Sequence, residues 1–382
     1  MRLNPALERM QAYPFVRLEE ERDKALSRLG RLIDFGVGDP REETPEFIRR
    51  ALVDALRRRS SYPKAVGLPE YRRAVAAWFE RRHGVALDPD LEIIPTLGSK
   101  EAIFSAAQVL GDRSSDKNIV VTTEPGYPVP YRSALLNGLQ PFVVPLLEGN
   151  DFLVDLDAIP DEVYERVVLF WVNYPNNPSG AVATRAFYDR LAERAERHGF
   201  LVASDEAYSE IYFEEPPVCA LTESSREHVA VFTTLSKRSA MTGYRAGAVA
   251  GPRWFISALR RYRPLTGTAP QEFVQRAGIA AFADETHVER MRAIYRSKRE
   301  VLEPYLISKG LHTAGSKGTF YLWIAVPSGE TSDSFALRLL EAGVVVAPGT
   351  FFGQTGEGYV RMALVPSLEE CRRAVELLDT VL

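Results

Sequence analysis

The chain has few of the residues that cross-link small proteins or bind metals. Its 382 residues include only two cysteines, Cys219 and Cys371, which lie far apart and outside any CxxC pair. This excludes a disulfide scaffold and a zinc ribbon. The five histidines show no HxxxH or HxH spacing, so a histidine metal site is not expected. Only eight of the 47 basic residues are lysines, which makes each lysine within a motif more informative.

Long apolar runs and a strong excess of positive charge are also missing. No apolar run reaches the roughly 18 residues that a membrane helix requires, and the polar start of the chain lacks the apolar core of a signal peptide. The formal net charge of −4 argues against nucleic-acid binding. We therefore expect a cytoplasmic protein without a membrane or nucleic-acid partner.

Apolar, β-branched runs alternate with helical periodicity along most of the chain. Strands are predicted at 33–38, 118–123, 167–173, 200–204, 229–235, 246–251, 318–325, 344–347 and 359–364. Helices are predicted at 45–59, 69–83, 184–198, 281–309 (with Pro304 as the candidate break), 332–342 and 367–382. Short strands that are apolar on both faces are typical of an α/β sheet covered by helices on both sides. A domain change is expected near 271–283.

The most informative motif surrounds a lysine at the end of the predicted strand 229–235. It contains Thr234, Ser236 and Lys237, and Arg245 lies eight residues after the lysine. A lysine with cationic neighbours can have a lowered pKa and can then attack a carbonyl to form a Schiff base. Hydroxyls and an arginine bind phosphate through several donors and a charge-assisted pair. Taken alone, the segment is equally compatible with a solvated basic loop.

Two further motifs follow predicted strands, where open α/β sheets bind ligands. Asn177 stands before Pro178, so its backbone is held extended and its amide can point into a crevice. Asp205 follows a buried strand, and a buried carboxylate needs a cationic partner such as a protonated pyridine nitrogen. Tyr208 can offer its phenol to the same place. The alternatives are an ordinary turn and an aspartate that caps a helix.

Three weaker signals lie elsewhere in the chain. Ser99 and Lys100 open a predicted helix, whose free N–H groups can bind an anion. Tyr127 follows a predicted strand and can stack on a flat ring. Arg361 lies in an apolar strand and needs an anionic partner there, which a substrate carboxylate or a structural salt bridge can provide.

In this order, the motifs resemble those of the fold-type-I aminotransferases of class I/II, which depend on pyridoxal 5'-phosphate (PLP). The resemblance extends from Tyr13 to Arg361. It implies an α/β fold with a large PLP-binding domain at 45–275, built on a mostly parallel seven-stranded sheet between helices. An N-terminal arm and a smaller α+β domain are implied at 1–44 and 276–382. The resemblance also implies a homodimer with shared active sites.

The resemblance assigns a role to each motif residue. Lys237 resembles the lysine that bonds to the cofactor and moves the substrate proton, and Asp205 resembles the aspartate that keeps the ring nitrogen protonated. Tyr208 and Asn177 resemble the pair at the phenolic oxygen of the ring, and Tyr127 resembles the aromatic residue over the ring.

The resemblance implies three binding groups in addition. A phosphate cup is implied at Ser99, Lys100, Thr234, Ser236 and Arg245. Tyr62 resembles a tyrosine that reaches the phosphate of the neighbouring subunit. A clamp on the substrate α-carboxylate is implied at Arg361, Asn177 and the backbone of Gly38.

A finer resemblance points to the N-succinyl-L,L-diaminopimelate aminotransferases of bacterial lysine biosynthesis. The segments that carry it are Pro14-Phe15 with Leu18, 78–84, 235–247 and Asp284-Glu285-Thr286-His287-Val288. It implies ping-pong exchange of an amino group between glutamate/2-oxoglutarate and N-succinyl-2-amino-6-ketopimelate/N-succinyl-L,L-2,6-diaminopimelate. Because a remote carboxylate needs a cation, we name four candidates to bind it: Arg17, Lys64, Lys100 and Arg263.

Other functions stay open. The first is an aminotransferase for aspartate, aromatic or unsuccinylated diaminopimelate substrates, and the second is a PLP-dependent C–S lyase. A regulatory protein that retains the PLP cup is disfavoured, because every catalytic position is filled. A dehydrogenase is disfavoured because no GxGxxG follows the first predicted strand.

Overall fold

The structure is a computed structural model that describes residues 4–9, 14–59, 61–112 and 114–382. The described helices are α1 (Pro5–Arg9), α2 (Pro14–Leu29), α3 (Glu46–Asp54), α4 (Pro69–His83), α5 (Ser99–Leu110), α6 (Val129–Leu136), α7 (Asp161–Tyr164), α8 (Arg185–His198), α9 (Leu235–Arg238), α10 (Arg253–Tyr262), α11 (Glu272–Ala283), α12 (Thr286–Ser308), α13 (Ser332–Glu341) and α14 (Leu368–Leu378). In this part of the chain, none of the helices combines the length and the apolar character needed to cross a membrane.

The described strands are β1 (Ile33–Asp34), β2 (Ile93–Thr96), β3 (Ile119–Glu124), β4 (Gln140–Pro145), β5 (Val167–Asn173), β6 (Leu201–Asp205), β7 (Val229–Thr234), β8 (Gly247–Ala250), β9 (Thr313–Ala314), β10 (Tyr321–Ala325), β11 (Val344–Val345), β12 (Ala347–Pro348) and β13 (Tyr359–Ala363).

A seven-stranded sheet with the order β2-β8-β7-β6-β5-β3-β4 forms the centre of the fold. β8 runs antiparallel to both neighbours, and the other six strands are parallel to one another. β6 and β7 are buried along their whole length, as expected for strands with helices on both faces. The predicted α/β fold with a mostly parallel seven-stranded sheet is confirmed.

The two edge strands of this sheet are the ones that the sequence pattern did not predict. β2 contains Pro95, and β4 contains Pro141 and Pro145. Proline lacks the N–H group that a central strand needs, and it is therefore confined to sheet edges and strand ends. These two strands lack the continuous β-branched pattern of the central strands, which explains why they were missed.

The helix predicted at 281–309 is divided at a different place from the one expected. α11 and α12 end and begin on either side of Asp284 and Glu285, whereas Pro304 lies inside α12 without ending it. The Asp284 carboxylate accepts the backbone N–H of His287 at 2.9 Å. This bond caps the start of a new helix, so the chain turns at the aspartate.

A second layer is built on a four-stranded sheet with the order β12-β13-β10-β9. β1 pairs with β11 in a separate parallel ladder. The core of this layer contains Phe35 and, later in the chain, residues from Met291 to Leu378. α11 packs against α3 and α4, so the domain boundary predicted at 275/276 falls within a helix. The division into 45–275 and 1–44 with 276–382 stays a prediction.

Candidate active site

A cavity of about 400 Å³ lies at the carboxyl ends of β5, β6 and β7, where ligands bind in open α/β sheets. Twelve of the thirteen site residues expected from the sequence line it. They are Gly38, Ser99, Lys100, Tyr127, Asn177, Asp205, Tyr208, Thr234, Ser236, Lys237, Arg245 and Arg361. Residues from both sheets therefore meet in one site.

Tyr62 is the expected site residue that does not line this cavity. Its side chain is fully exposed. A tyrosine that projects into solvent can reach a second subunit, but that contact stays a prediction.

Donors for an anion gather where α5 begins. Ser99 and Lys100 form the first turn of this helix, whose N-terminal N–H groups have no partner within the helix. Gly98 precedes it with φ of +73°. A Cβ atom at this position would lie 2.4 Å from Nη2 of Arg245, so glycine allows the guanidinium to reach the helix end.

The turn after β7 adds two hydroxyls to the same end of the cavity. Thr234 caps the short helix α9 by accepting the backbone N–H of Ser236. The two hydroxyl oxygens lie 2.9 Å apart. Together with Arg245 and the start of α5, they form a cup that matches the several acceptor oxygens of a phosphate.

Lys237 follows this cup in α9 and extends across the cavity. Its Nζ donates a hydrogen bond to the carbonyl oxygen of Gly38 at 2.6 Å. Burial lowers the pKa of Lys237 to about 8, even though the negative charge of Asp39 raises it. With a pKa in this range, the unprotonated amine that a nucleophile needs is far more abundant near neutral pH than for an ordinary lysine.

Asp205 ends β6 and lies buried in the wall of the cavity. Its Oδ1 accepts the backbone N–H of Ala207 at 3.2 Å. Burial raises the pKa of Asp205 to about 7, although this hydrogen bond and the charge of Lys237 lower it. A cation inside the cavity stabilises the charged carboxylate, and a protonated pyridine nitrogen is such a cation. The residues present thus fit PLP at both its ring and its phosphate.

Arg361 extends from β13 into the opposite wall and is buried. Its Nη1 donates to Oδ1 of Asn177 at 2.8 Å, and its Nη2 donates to the carbonyl of Gly36 at 2.8 Å. The guanidinium lies 4.2 Å from the ring centroid of Tyr321 and 4.6 Å from that of Phe352. These contacts hold a planar cation in place for a carboxylate.

Comparison with known proteins agrees with this geometry. Residues 31–378 match the family model described as aminotransferase class I and II. The chain belongs to the class I and II aminotransferases. It is therefore a PLP-dependent transaminase of fold type I, as the sequence predicted.

Three similar proteins of this family carry different names. An LL-diaminopimelate aminotransferase from Aquifex aeolicus is 40% identical, over 95% of this chain and 95% of its own. A solved structure from Thermus thermophilus, described as a probable N-succinyldiaminopimelate aminotransferase, is 31% identical with a TM-score of 0.89, over 96% of this chain and 100% of its own. Aspartate aminotransferase from Thermus thermophilus with maleate is 31% identical with a TM-score of 0.91, over 100% of both chains.

Tyr321 is the main site residue of this aminotransferase that sequence reasoning missed. Its hydroxyl lies 2.8 Å from the hydroxyl of Tyr208. A Cβ atom at Gly38 would lie 2.1 Å from the same hydroxyl, so the tyrosine requires glycine there. Tyr321 sits in the apolar strand β10, where no local pattern distinguishes it from a core residue. Tyr208 thus meets Tyr321, whereas the residue that the resemblance paired with it, Asn177, meets Arg361.

One predicted substrate-binding candidate is wrong. Arg263 is 1% exposed, and its guanidinium donates to Glu101 at 2.8 Å and to the carbonyls of Ala65 and Pro95. Because these partners hold it outside the cavity, it does not meet a substrate. Of the other candidates, Lys100 lines the cavity and Lys64 does not. The side chain of Arg17 lies outside the described part of the chain.

Glu206, the residue after Asp205, belongs to a group of three polar side chains, of which two are buried and His83 is half-buried. His83, Glu206 and Cys219 each offer a possible metal-ligand atom within 4.8 Å of the others. Burial raises the pKa of Glu206 to about 7, raises that of the Cys219 thiol and lowers that of His83 to about 3. Burial thus favours the neutral form of each group. Histidine spacing could not reveal a cluster drawn from three segments, and the expected absence of a metal stays a prediction.

Proposed function

We propose that this aminotransferase moves an amino group between L,L-diaminopimelate and 2-oxoglutarate in two half-reactions that depend on PLP, which Lys237 would hold covalently between turnovers. The main support is the set of relatives named LL-diaminopimelate aminotransferase, which share 36–40% of residues over 94–98% of this chain. The proposal places the protein in diaminopimelate and lysine biosynthesis, in the cytoplasm.

The charges around the cavity favour the unsuccinylated substrate over the succinylated one. Among the described residues that line it, the cations are Lys100, Lys237, Arg245 and Arg361. The proposal assigns Lys100 and Arg245 to the phosphate, Lys237 to the covalent link and Arg361 to the α-carboxylate. A succinyl carboxylate then finds no further cation in this lining, whereas the distal end of diaminopimelate carries its own compensating ammonium.

The chemistry divides between the cofactor and the chain. Bound PLP supplies a carbonyl that exchanges amines and a protonated ring that withdraws electrons. Lys237 would take the proton from the substrate Cα and pass it on, because its lowered pKa raises the fraction of unprotonated amine that can accept it. Asp205 holds the proton on the ring nitrogen. Tyr208, beside Tyr321, donates towards the phenolic oxygen of the ring.

Binding contacts orient the reacting atoms. Arg361 and Asn177, already bonded at 2.8 Å, hold the α-carboxylate so that the Cα proton faces Lys237. Tyr127, which lines the cavity, would cover one face of a bound ring. We also infer a homodimer, in which Tyr62 of each subunit completes the phosphate cup of the other.

The proposal is tested by comparing amino donors on the PLP-loaded protein. Purified enzyme is supplied with 2-oxoglutarate and, in parallel, with L,L-diaminopimelate, N-succinyl-L,L-diaminopimelate and aspartate, and kcat/KM is measured from glutamate release. The highest value is expected for L,L-diaminopimelate. The succinylated donor is the second candidate, because the Thermus structure named for it is 31% identical, and preference for that donor would overturn the first choice.

A matched pair of lysine variants tests the assignment of Lys237. Lys237→Ala is expected to abolish transamination with every donor. Lys309→Ala removes a surface lysine that pairs with Asp379, and it should retain full activity. Retained turnover in Lys237→Ala would contradict the assignment.

A further inference from the structure

The two residues that follow Lys237 both hydrogen-bond to the same distant segment, 285–287. Arg238 Nη2 donates to Oε2 of Glu285 at 3.0 Å. The hydroxyl of Ser239 lies 2.8 Å from Nε2 of His287. Arg238, Ser239 and His287 are all buried, whereas the Glu285 side chain is 34% exposed. The Ser239–His287 bond is therefore the one that is shielded from solvent and resists competition from water.

The direction of the hydrogen bond between Ser239 and His287 follows from a third residue, Asp284. Asp284 Oδ1 lies 2.7 Å from Nδ1 of His287. An ionised carboxylate only accepts hydrogen bonds, so Nδ1 carries a proton. Burial lowers the pKa of His287 and favours the neutral ring with this single proton, so Nε2 accepts the hydroxyl proton of Ser239. The chain Asp284–His287–Ser239 has the order of a hydrolytic triad, but Ser239 is 0% exposed. It therefore cannot reach a substrate, and its bonds instead hold in place the loop that starts at the end of α9 (237–240).

Two of the segments that connect the two layers meet at this loop. The first connection (35–48) runs from the core of the four-stranded sheet to that of the seven-stranded sheet, and the second connection (282–291) returns. Asp284, Glu285 and His287 belong to the second. In the first, Thr44 donates to the carbonyl of Ala240 at 2.6 Å, and Gly38 accepts the bond from Nζ of Lys237.

Arg238 makes the loop rigid on its other side. Its guanidinium lies 5.4 Å from the ring centroid of Trp78 and 5.3 Å from that of Phe282, and both rings belong to the core of the seven-stranded sheet. The residue is thus held between that core and Glu285. Arg238 is therefore the one residue that separates the second connection from Lys237.

We propose that Glu285 and His287 are positioning residues for Lys237: through Arg238 and Ser239 they hold its Nζ against the carbonyl of Gly38. The bonds keep the amine in the buried position that determines its protonation and its reach towards the substrate. The inference rests on the role proposed above for Lys237, and it is independent of which donor is preferred.

The test uses Ser239→Ala, His287→Ala, the double variant and Glu285→Gln. Ser225→Ala is the control, because it also removes a buried serine hydroxyl, one that donates to the carbonyl of Ala220. The first measurement is reductive methylation of Lys237 in the cofactor-free protein, followed by peptide mass spectrometry across pH. The midpoint is expected near pH 8 in the parent, and nearer the ordinary lysine value of about 10.4 in the variants.

The second measurement is kcat and KM of the loaded enzyme with its best donor. We expect kcat to fall roughly 10- to 100-fold, as for a catalytic group displaced by about 1 Å, while KM changes little. The effects of Ser239→Ala and His287→Ala should not multiply in the double variant, because both remove one contact. His287→Gln, which keeps an acceptor near the position of Nε2, should restore part of kcat.

Several results would overturn the inference. Lower thermal stability with an unchanged methylation midpoint and unchanged kcat would assign these residues a purely structural role. Multiplicative effects in the double variant would show that the contact is not the cause. Ser239→Ala removes a single oxygen and keeps the test decisive if His287→Ala does not fold. The methylation result requires no substrate, so it is independent of a failure of the proposed function.

Discussion

Replacing Asp205 with asparagine is expected to stabilise the cofactor-free protein. Burial raises the pKa of this carboxyl from 3.8 to about 7. At low pH the carboxyl is protonated in both the folded and the unfolded state, and the charge has no effect on stability. As the pH rises above 3.8, the unfolded state ionises first, so the folded state loses stability relative to it.

The size of this penalty follows from the two pKa values. It grows by about 1.4 kcal/mol per pH unit between them and levels off at about 4 kcal/mol above the folded-state pKa. Asparagine carries no charge, and its amide oxygen can still accept the N–H of Ala207. The variant should therefore gain most of this energy at pH 8 and much less at pH 5, with a difference of about 3 kcal/mol between the two conditions.

Urea unfolding of the cofactor-free proteins at equal concentration measures the effect. Asp189→Asn, an exposed carboxylate on α8, is the control and should change the free energy of unfolding little at either pH. The same variant should lose activity when PLP is bound, because asparagine cannot hold the proton on the ring nitrogen. We expect kcat to fall about a hundredfold or more. A variant no more stable than the parent at pH 8 would refute the view that the surroundings of Asp205 compensate its buried charge only in part.

Three further predictions concern other parts of the protein. Arg361→Ala should lower kcat/KM for the amino donor about a hundredfold or more in steady-state assays, because a buried charge-assisted contact to the carboxylate is lost; an unchanged value would remove it from the clamp. Tyr62→Phe should raise the Kd for PLP roughly tenfold in a fluorescence titration, as expected for one hydrogen bond to a charged group, and an unchanged Kd would contradict the shared site. Lys298→Met should lower the free energy of unfolding by about 3–5 kcal/mol, because Glu42 loses its buried partner. Adding Glu42→Gln should recover part of that loss in urea unfolding.

Local patterns predicted the interior elements of the fold well. β5 and α4 occupy the residues that periodicity assigned to them, 167–173 and 69–83. β5 is apolar on both faces, as a strand between two helical layers requires. α4 has an apolar stripe, as a helix that buries one side requires. The edge strands β2 and β4 and the turn between α11 and α12 were missed, because edge pairing and a single capping aspartate leave little periodic signal.

The candidate site was predictable wherever its residues follow strand ends or open a helix. Thr234, Lys237 and Asp205 stand next to buried strands, so their sequence context already places them at one edge of the sheet. Tyr321 has no such context, because an aromatic residue in an apolar strand usually belongs to the core. The prediction for Arg263 was wrong for the opposite reason. Its charge suggested that it binds a ligand, but its guanidinium is paired with Glu101 within the protein.

The sequence by itself determined the family, the cofactor and the chemistry available. The reason is that each motif is a short run of residues, and neighbours in sequence are also neighbours in space. Only the tertiary structure decided which groups meet across the chain. Tyr208 and Tyr321 are 113 residues apart, and Arg361 and Asn177 are 184 apart. Such pairs form when the two layers pack around one cavity. Their distances depend on packing over the whole chain, which no local pattern encodes.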